Sequence, residues 1–160
     1  MPMRMPYLPC ATVYCANDSR PAQASLYIIP MSKTSFQNLP SLKPGSVYSD
    51  LVIANGFAYV AGKIAADADN PANVGVIEDE TRQCLQLLEE SLALAGLDLS
   101  DVVKVTIFMK HLHEFDRMNS VYRSFFAKGH EPARTTVGVA DVLFGCRIEI
   151  ECIARLRSAS

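Results

Sequence analysis

Glu131-Pro132-Ala133-Arg134-Thr135-Thr136-Val137 and, further along, Arg147-Ile148-Glu149-Ile150-Glu151-Cys152-Ile153-Ala154 are the stretches whose reading decides the fold. Both alternate residue by residue, the period of a β-strand with one buried face. The alternation sends Arg134, Thr136 and Gly138 to one side of the first strand and Arg147, Glu149 and Glu151 to one side of the second. An arginine and a carboxylate are therefore expected to meet on one sheet. A guanidinium is always charged and its planar fork of donors fits a carboxylate, while a glutamate can accept a proton from water. The pattern suits a site for a small carboxylate-bearing substrate; it also suits the wet face of a half-buried sheet.

Working outward, Val52-Ile53-Ala54 and Phe57-Ala58-Tyr59-Val60-Ala61 flank Asn55-Gly56, whose tolerance of positive φ predicts a type I′ hairpin. After a polar loop from Asp67 to Gly75, apolar residues at 84, 85, 88, 92 and 95 predict an amphipathic helix that Gly96 ends as a C′ glycine. Val103, Val105, Ile107 and Met109 alternate with Lys104, Thr106, Phe108 and Lys110 in a third strand, and Phe115, Met118, Tyr122, Phe125 and Phe126 follow helical spacing. The order β-β-α-β-α-β-β gives an α+β layer with a mixed sheet and both helices on one face. The other face, expected to carry Thr106, Phe108, Arg134 and Thr136, is most simply hidden by oligomerisation.

Residues 1–40 are assigned to a poorly ordered N-terminal extension, rich in proline over its first thirty positions, and residues 41–160 to one α+β domain. Of the 160 residues 49% are hydrophobic, enough for one core, and the net charge of −2 with scattered basic residues gives no footprint for nucleic acid. Neither a bilayer-spanning apolar run nor a secretory leader is apparent, so a cytoplasmic protein with no membrane partner is expected. The five cysteines, Cys10, Cys15, Cys84, Cys146 and Cys152, form no C-x-x-C pair and read as thiols in a reducing compartment. His111, His113 and His130 read as exposed loop residues, and no metal site is expected.

Pro132-Ala133-Arg134-Thr135-Thr136-Val137 with Ile148-Glu149-Ile150-Glu151-Cys152-Ile153-Ala154 resembles the C-terminal signature of the reactive intermediate deaminase (Rid, or YjgF) family. Gly56 to Ile64 resembles its N-terminal hairpin, Glu78 to Leu85 its first helix, Leu94-Ala95-Gly96 with Asp101 to Phe108 the strand that follows, and Phe115 to Phe126 its second helix. The resemblance spans Leu42 to Arg155. It implies a chorismate-mutase-like fold assembled as a homotrimer with clefts between subunits. It also implies a 2-iminobutanoate/2-iminopropanoate deaminase-like hydrolase that converts reactive enamines and imines, such as 2-aminoacrylate and other 2-imino acids, to 2-keto acids and ammonia with no cofactor.

Carried over by position, the resemblance makes Arg134 and Glu149 the catalytic pair, Arg134 clamping the substrate carboxylate and Glu149 placing or deprotonating water. Tyr48, Gly62, Asn119 and Thr136 join Arg134 as substrate-binding residues. The chain departs from the family pattern at Ala61-Gly62-Lys63, at Thr136 where a cysteine is common, and at Val47 before Tyr48. Lys63, if it faces the cleft, would favour a second acidic group. Competing readings are a non-catalytic trimeric binder of small carboxylates, a chaperone-like protein, a nuclease, which would need a basic groove, and an isomerase suggested by fold alone.

Overall fold

The structure, a computed structural model, describes residues 34–65 and 75–157. Asn55 (φ 52°) and Gly56 (φ 81°) are both left-handed, as a type I′ turn requires, and they close a hairpin between β2 (Leu51–Ala54) and β3 (Phe57–Lys63). A strand absent from the sequence reading precedes them: β1 (Ser35–Gln37), inside the span assigned to the extension, pairs antiparallel with β2. Three residues carry too little periodicity to announce a strand. What secures it is a reciprocal lock, in which Asp50 N–H donates to Asn38 Oδ1 (3.0 Å) and Leu39 N–H donates to Asp50 Oδ2 (3.0 Å).

The remaining elements are α1 (Ile77–Ala93), β4 (Val102–Met109), α2 (Phe115–Tyr122), β5 (Ala133–Gly138) and β6 (Ile148–Arg155). The six-stranded mixed sheet runs β1-β2-β3-β6-β4-β5, with β4 and β5 parallel and every other pair antiparallel. Cys84, Leu85, Leu88 and Leu92 of α1 share one core with Val105, Ile107, Met109, Ile148, Ile150 and Cys152 of the sheet, and Met118 and Tyr122 of α2 join it from the same side. Gly96 (φ 67°) ends the first helix as expected, with Leu97 N–H donating to Leu92 O (3.1 Å). The loop predicted from Asp67 lies outside the described residues up to Gly75.

Two predicted details shift. Val102 is buried and Val103 is 42% exposed, because a register shift against β6 between Val102 and Lys104 inverts the alternation at the start of β4. The second helix stops at Tyr122, yet Phe126 beyond it remains buried against the Tyr122 ring, with centroids 4.7 Å apart.

A buried ion pair joins the hairpin to the lock: Lys63 Nζ donates to Asp50 Oδ1, and both side chains are less than a tenth exposed. Removing one member of such a pair strands the other charge without solvent. Lys63→Met is therefore expected to cost about 3 kcal/mol or more in urea unfolding, and adding Asp50→Asn to recover much of that loss.

Candidate active site

Strand β5 is a sheet edge, and its register fixes where its side chains go. Arg134 lies beside Val105 and Thr136 beside Ile107, both fully buried residues of the helix-covered face. Arg134 therefore points toward α2. There its Nη1 donates to Asn119 Oδ1 (2.8 Å), and its guanidinium carbon sits 4.6 Å from the Tyr122 ring centroid and 5.5 Å from that of Phe115. Phe115, Asn119 and Tyr122 recur at helical spacing, so one stripe of α2 supplies both an acceptor and aromatic faces to the cation. Among the described residues Asn119 is the only hydrogen-bond partner of the guanidinium, which leaves most of the fork available. Asn119, Tyr122, Arg123, Glu131, Pro132 and Arg134 line an open pocket of about 280 Å³. The Thr136 and Tyr122 hydroxyls are buried without a partner among the described residues. Burial pushes the Tyr122 phenol up to about 12 against the opposing charge of Arg134, so it stays protonated at neutral pH.

Glu149 stands elsewhere. It lies beside Phe108, on the face away from the helices, while Ile148 and Ile150 on either side of it are buried in the core. The expectation that Arg134 and Thr136 share a face with Thr106 and Phe108 is thus corrected: they occupy the opposite face, which also parts them from Glu149 and Glu151. Arg147 also leaves the carboxylates, because its guanidinium closes on buried Glu114 (3.0 Å to each oxygen). Burial, and then the charge of Glu151, holds the Glu149 carboxyl above the ordinary glutamate value of 4.5. Gly62 packs against it so closely that a methyl group there would overlap the Glu149 carboxylate. Tyr48, 57% exposed, lines a pocket of about 250 Å³ with Gly62 and Lys63.

The six sequence-derived site residues consequently fall into two groups. Gly62 and Glu149 pack together on the β3–β6 side, Tyr48 shares a pocket with Gly62, and Asn119, Arg134 and Thr136 lie on the α2–β5 side. Lys63 does not offer a cation to a cleft, since its charge is paired with Asp50. Sequence reading gave Phe115 and Tyr122 to the core alone; their place in line with Asn119 was the signal that they back the arginine. Cys84, Cys146 and Cys152 are buried and unbridged, with the Cys152 thiol pushed up to about 12 by burial, while Cys10 and Cys15 lie outside the described residues. Among the described residues no cluster of His, Cys, Asp or Glu is arranged to hold a metal ion, and no helix is long and apolar enough to cross a membrane.

Residues 39–156 match the model of the endoribonuclease L-PSP family. A RutC family protein of Pyrococcus horikoshii is 40% identical over 119 residues, covering 74% of this chain and 92% of its own. The 2-iminobutanoate/2-iminopropanoate deaminase of Rattus norvegicus is 38% identical over 108 residues, covering 67% of this chain and 78% of its own. Among solved structures, yeast Mmf1 superposes with a TM-score of 0.70 at 33% identity, over 78% of this chain and 99% of that one.

The raised pKa of Glu149 predicts a linkage. A carboxyl whose folded pKa exceeds its unfolded value favours folding below the unfolded value, and that contribution is lost as pH rises through the folded one. Glu149→Gln should therefore be more stable than the parent at pH 7, with the difference closing as pH falls toward 4.5, the ordinary glutamate value. Thermal melts of both proteins across that range check it.

Proposed function

The chain belongs to the endoribonuclease L-PSP family, the YjgF/RutC or Rid group, and from that premise we propose that it hydrolyses reactive 2-imino acids to 2-keto acids and ammonia. The observation that carries this reading is the arginine: Arg134 is held by Asn119 and backed by two aromatic rings, with donors left over for a ligand. A fork so restrained suits bidentate capture of a carboxylate. Relatives named 2-iminobutanoate/2-iminopropanoate deaminase support the reaction class. A nuclease reading, which the family's descriptive name invites, would need a basic groove for the phosphate backbone. The net charge here is −2, and Arg117, Arg147 and Arg157 are all engaged with carboxylates.

The chemistry asks little beyond positioning. An iminium carbon is already electrophilic; water adds to it, the C=N electron pair moves to nitrogen, and the resulting carbinolamine expels ammonia as the carbonyl forms. Arg134 fixes the carboxylate and so the position of the adjacent carbon. Glu149, its basicity raised by burial, takes a proton from the attacking water and returns one to the departing nitrogen. Tyr48 and Gly62 wall the site, and Thr136 offers its unpartnered hydroxyl to the ligand. No electrons are exchanged with an external partner, so the reaction requires no redox cofactor.

Because Arg134 and Glu149 lie on opposite faces of one sheet, a single copy does not bring them to one substrate. We assign the site to clefts between the subunits of a homotrimer, where the Arg134 group of one copy meets the Glu149 group of the next and a head-to-tail contact closes a ring. The uncovered sheet face supports this assembly: Phe36, Val52, Tyr59, Ile153, Phe108 and Val137 share it, an apolar area that a monomer would leave wet.

Light scattering should give three times the chain mass at micromolar protein; a monomer would sink both the assembly and the shared site. Imino acids generated in situ by an amino-acid oxidase provide the activity measurement. Arg134→Ala, still assembled, should lose activity by about 100-fold or more together with the thermal shift given by 2-keto acids. Arg134→Lys should recover only part, since an ammonium lacks the fork. Glu149→Gln should lower kcat by on the order of 100-fold while keeping that thermal shift. Parent-level turnover in assembled Arg134→Ala overturns the proposal, and ligand stabilisation without turnover in the parent would make the protein a binder instead.

A further inference from the structure

The pocket beside Arg134 contains a second guanidinium. Arg123 caps the C-terminal end of α2, one turn beyond Asn119, and its exposed side chain lines the same 280 Å³ space as Arg134. Arg82, Arg117, Arg147 and Arg157 each hold a carboxylate. Arg123, Arg134 and Arg155 have none among the described residues, and of these Arg123 and Arg134 line this pocket. Two unpaired guanidinium groups thus face one cavity, and the cavity's acidic member, Glu131, supplies a single opposing charge while its Oε2 accepts from Gly129 N–H (2.8 Å). Tyr122 belongs to the same wall, and its hydroxyl is buried without a partner among the described residues. Two guanidinium groups on one cavity suit an anionic ligand.

From this arrangement we propose that Arg123 is a specificity-determining residue that receives a second carboxylate, so that the preferred substrates are 2-imino dicarboxylic acids. The inference rests on the reading in which Arg134 binds the carboxylate next to the imine carbon. Arg123 then meets the acidic group at the far end of the substrate. A monocarboxylic imino acid leaves the Arg123 charge to solvent; a dicarboxylic one gives each fork a carboxylate. Lys63, the residue that sequence alone suggested for a second acidic group, is committed to Asp50. The hydrolysis itself is unchanged, since Arg123 lies at the end of the substrate remote from the bond that breaks.

The test compares 2-iminoglutarate with 2-iminopropanoate, each generated in situ from the amino acid by an oxidase, on the full-length parent, Arg123→Ala and Glu131→Gln. Arg123→Ala should lower the dicarboxylate-to-monocarboxylate ratio of kcat/KM about tenfold, the loss appearing in KM, because a charge-assisted contact to the remote group is gone. Glu131→Gln should raise the same ratio by removing the opposing charge. A purely structural role for either residue would change both substrates by one factor, and that result overturns the proposal. Calorimetric binding of 2-oxoglutarate and pyruvate separates the two levels of inference. If the parent hydrolyses neither imine, the hydrolytic reading fails, yet tighter binding of 2-oxoglutarate that disappears in Arg123→Ala still supports the subsite. Equal affinities for the two keto acids in the parent refute it.

Discussion

Burial of Val105, Ile107 and Met109 sets the parity of the neighbouring strands, because side chains alternate across a sheet and adjacent strands share the phase at each paired position. Cys152, Ile150 and Ile148 of β6 fall opposite these residues and are drawn into the same core. Glu149 and Glu151 have no choice but the other face. In the parallel partner the same phase turns Arg134 and Thr136 inward, where an edge strand leaves room for polar groups that a central strand would exclude. The division of the candidate site into two groups follows from this row of apolar side chains and from nothing in the chemistry of the site residues.

The molecule distributes charge unevenly. Several cations away from the site are matched: Arg117 on Glu78, Arg147 on Glu114, Arg157 on Asp98 and Asp101, and Lys63 on Asp50. Buried Glu80 spends its oxygens on the N–H groups of Gly75 and Arg147 (2.8 and 2.7 Å), tying the start of α1 to the start of β6. Arg134 has no carboxylate partner among the described residues and is held by Asn119 instead. The buried hydroxyls of Tyr122 and Thr136 lack a partner among the described residues, which is unfavourable for folding, and on the opposite face burial lifts the Glu149 carboxyl.

The connection between β5 and β6 shows how the backbone reaches this arrangement. The two strands are not neighbours, so the chain must pass the end of β4, where Val139 N–H donates to Met109 O (2.9 Å) and Lys110 pairs with Asp141 (2.7 Å). Phe144 (φ 56°) and Gly145 (φ 77°) then reverse it in left-handed conformations, and buried Cys146 anchors the return. A non-glycine residue at positive φ is costly, and here the tight turn ahead of Cys146 requires it.

Much of this was legible in the chain as text. Asn55-Gly56 specified its hairpin, the apolar spacing from Cys84 to Leu92 with Gly96 specified the first helix, and alternation located β4, β5 and β6. Arg134 and Glu149 stood out as the residues whose chemistry suits a carboxylate and a water. These features are local: each depends on the conformational preferences of a few consecutive residues. β1, the Lys63–Asp50 pair, the aromatic backing of Arg134 and the separation of Arg134 from Glu149 were decided only by the tertiary structure. Alternation states which residues of one strand share a side, but not which side of the sheet that is. That assignment is made by register between strands distant in sequence, and register is chosen by the burial of the whole core.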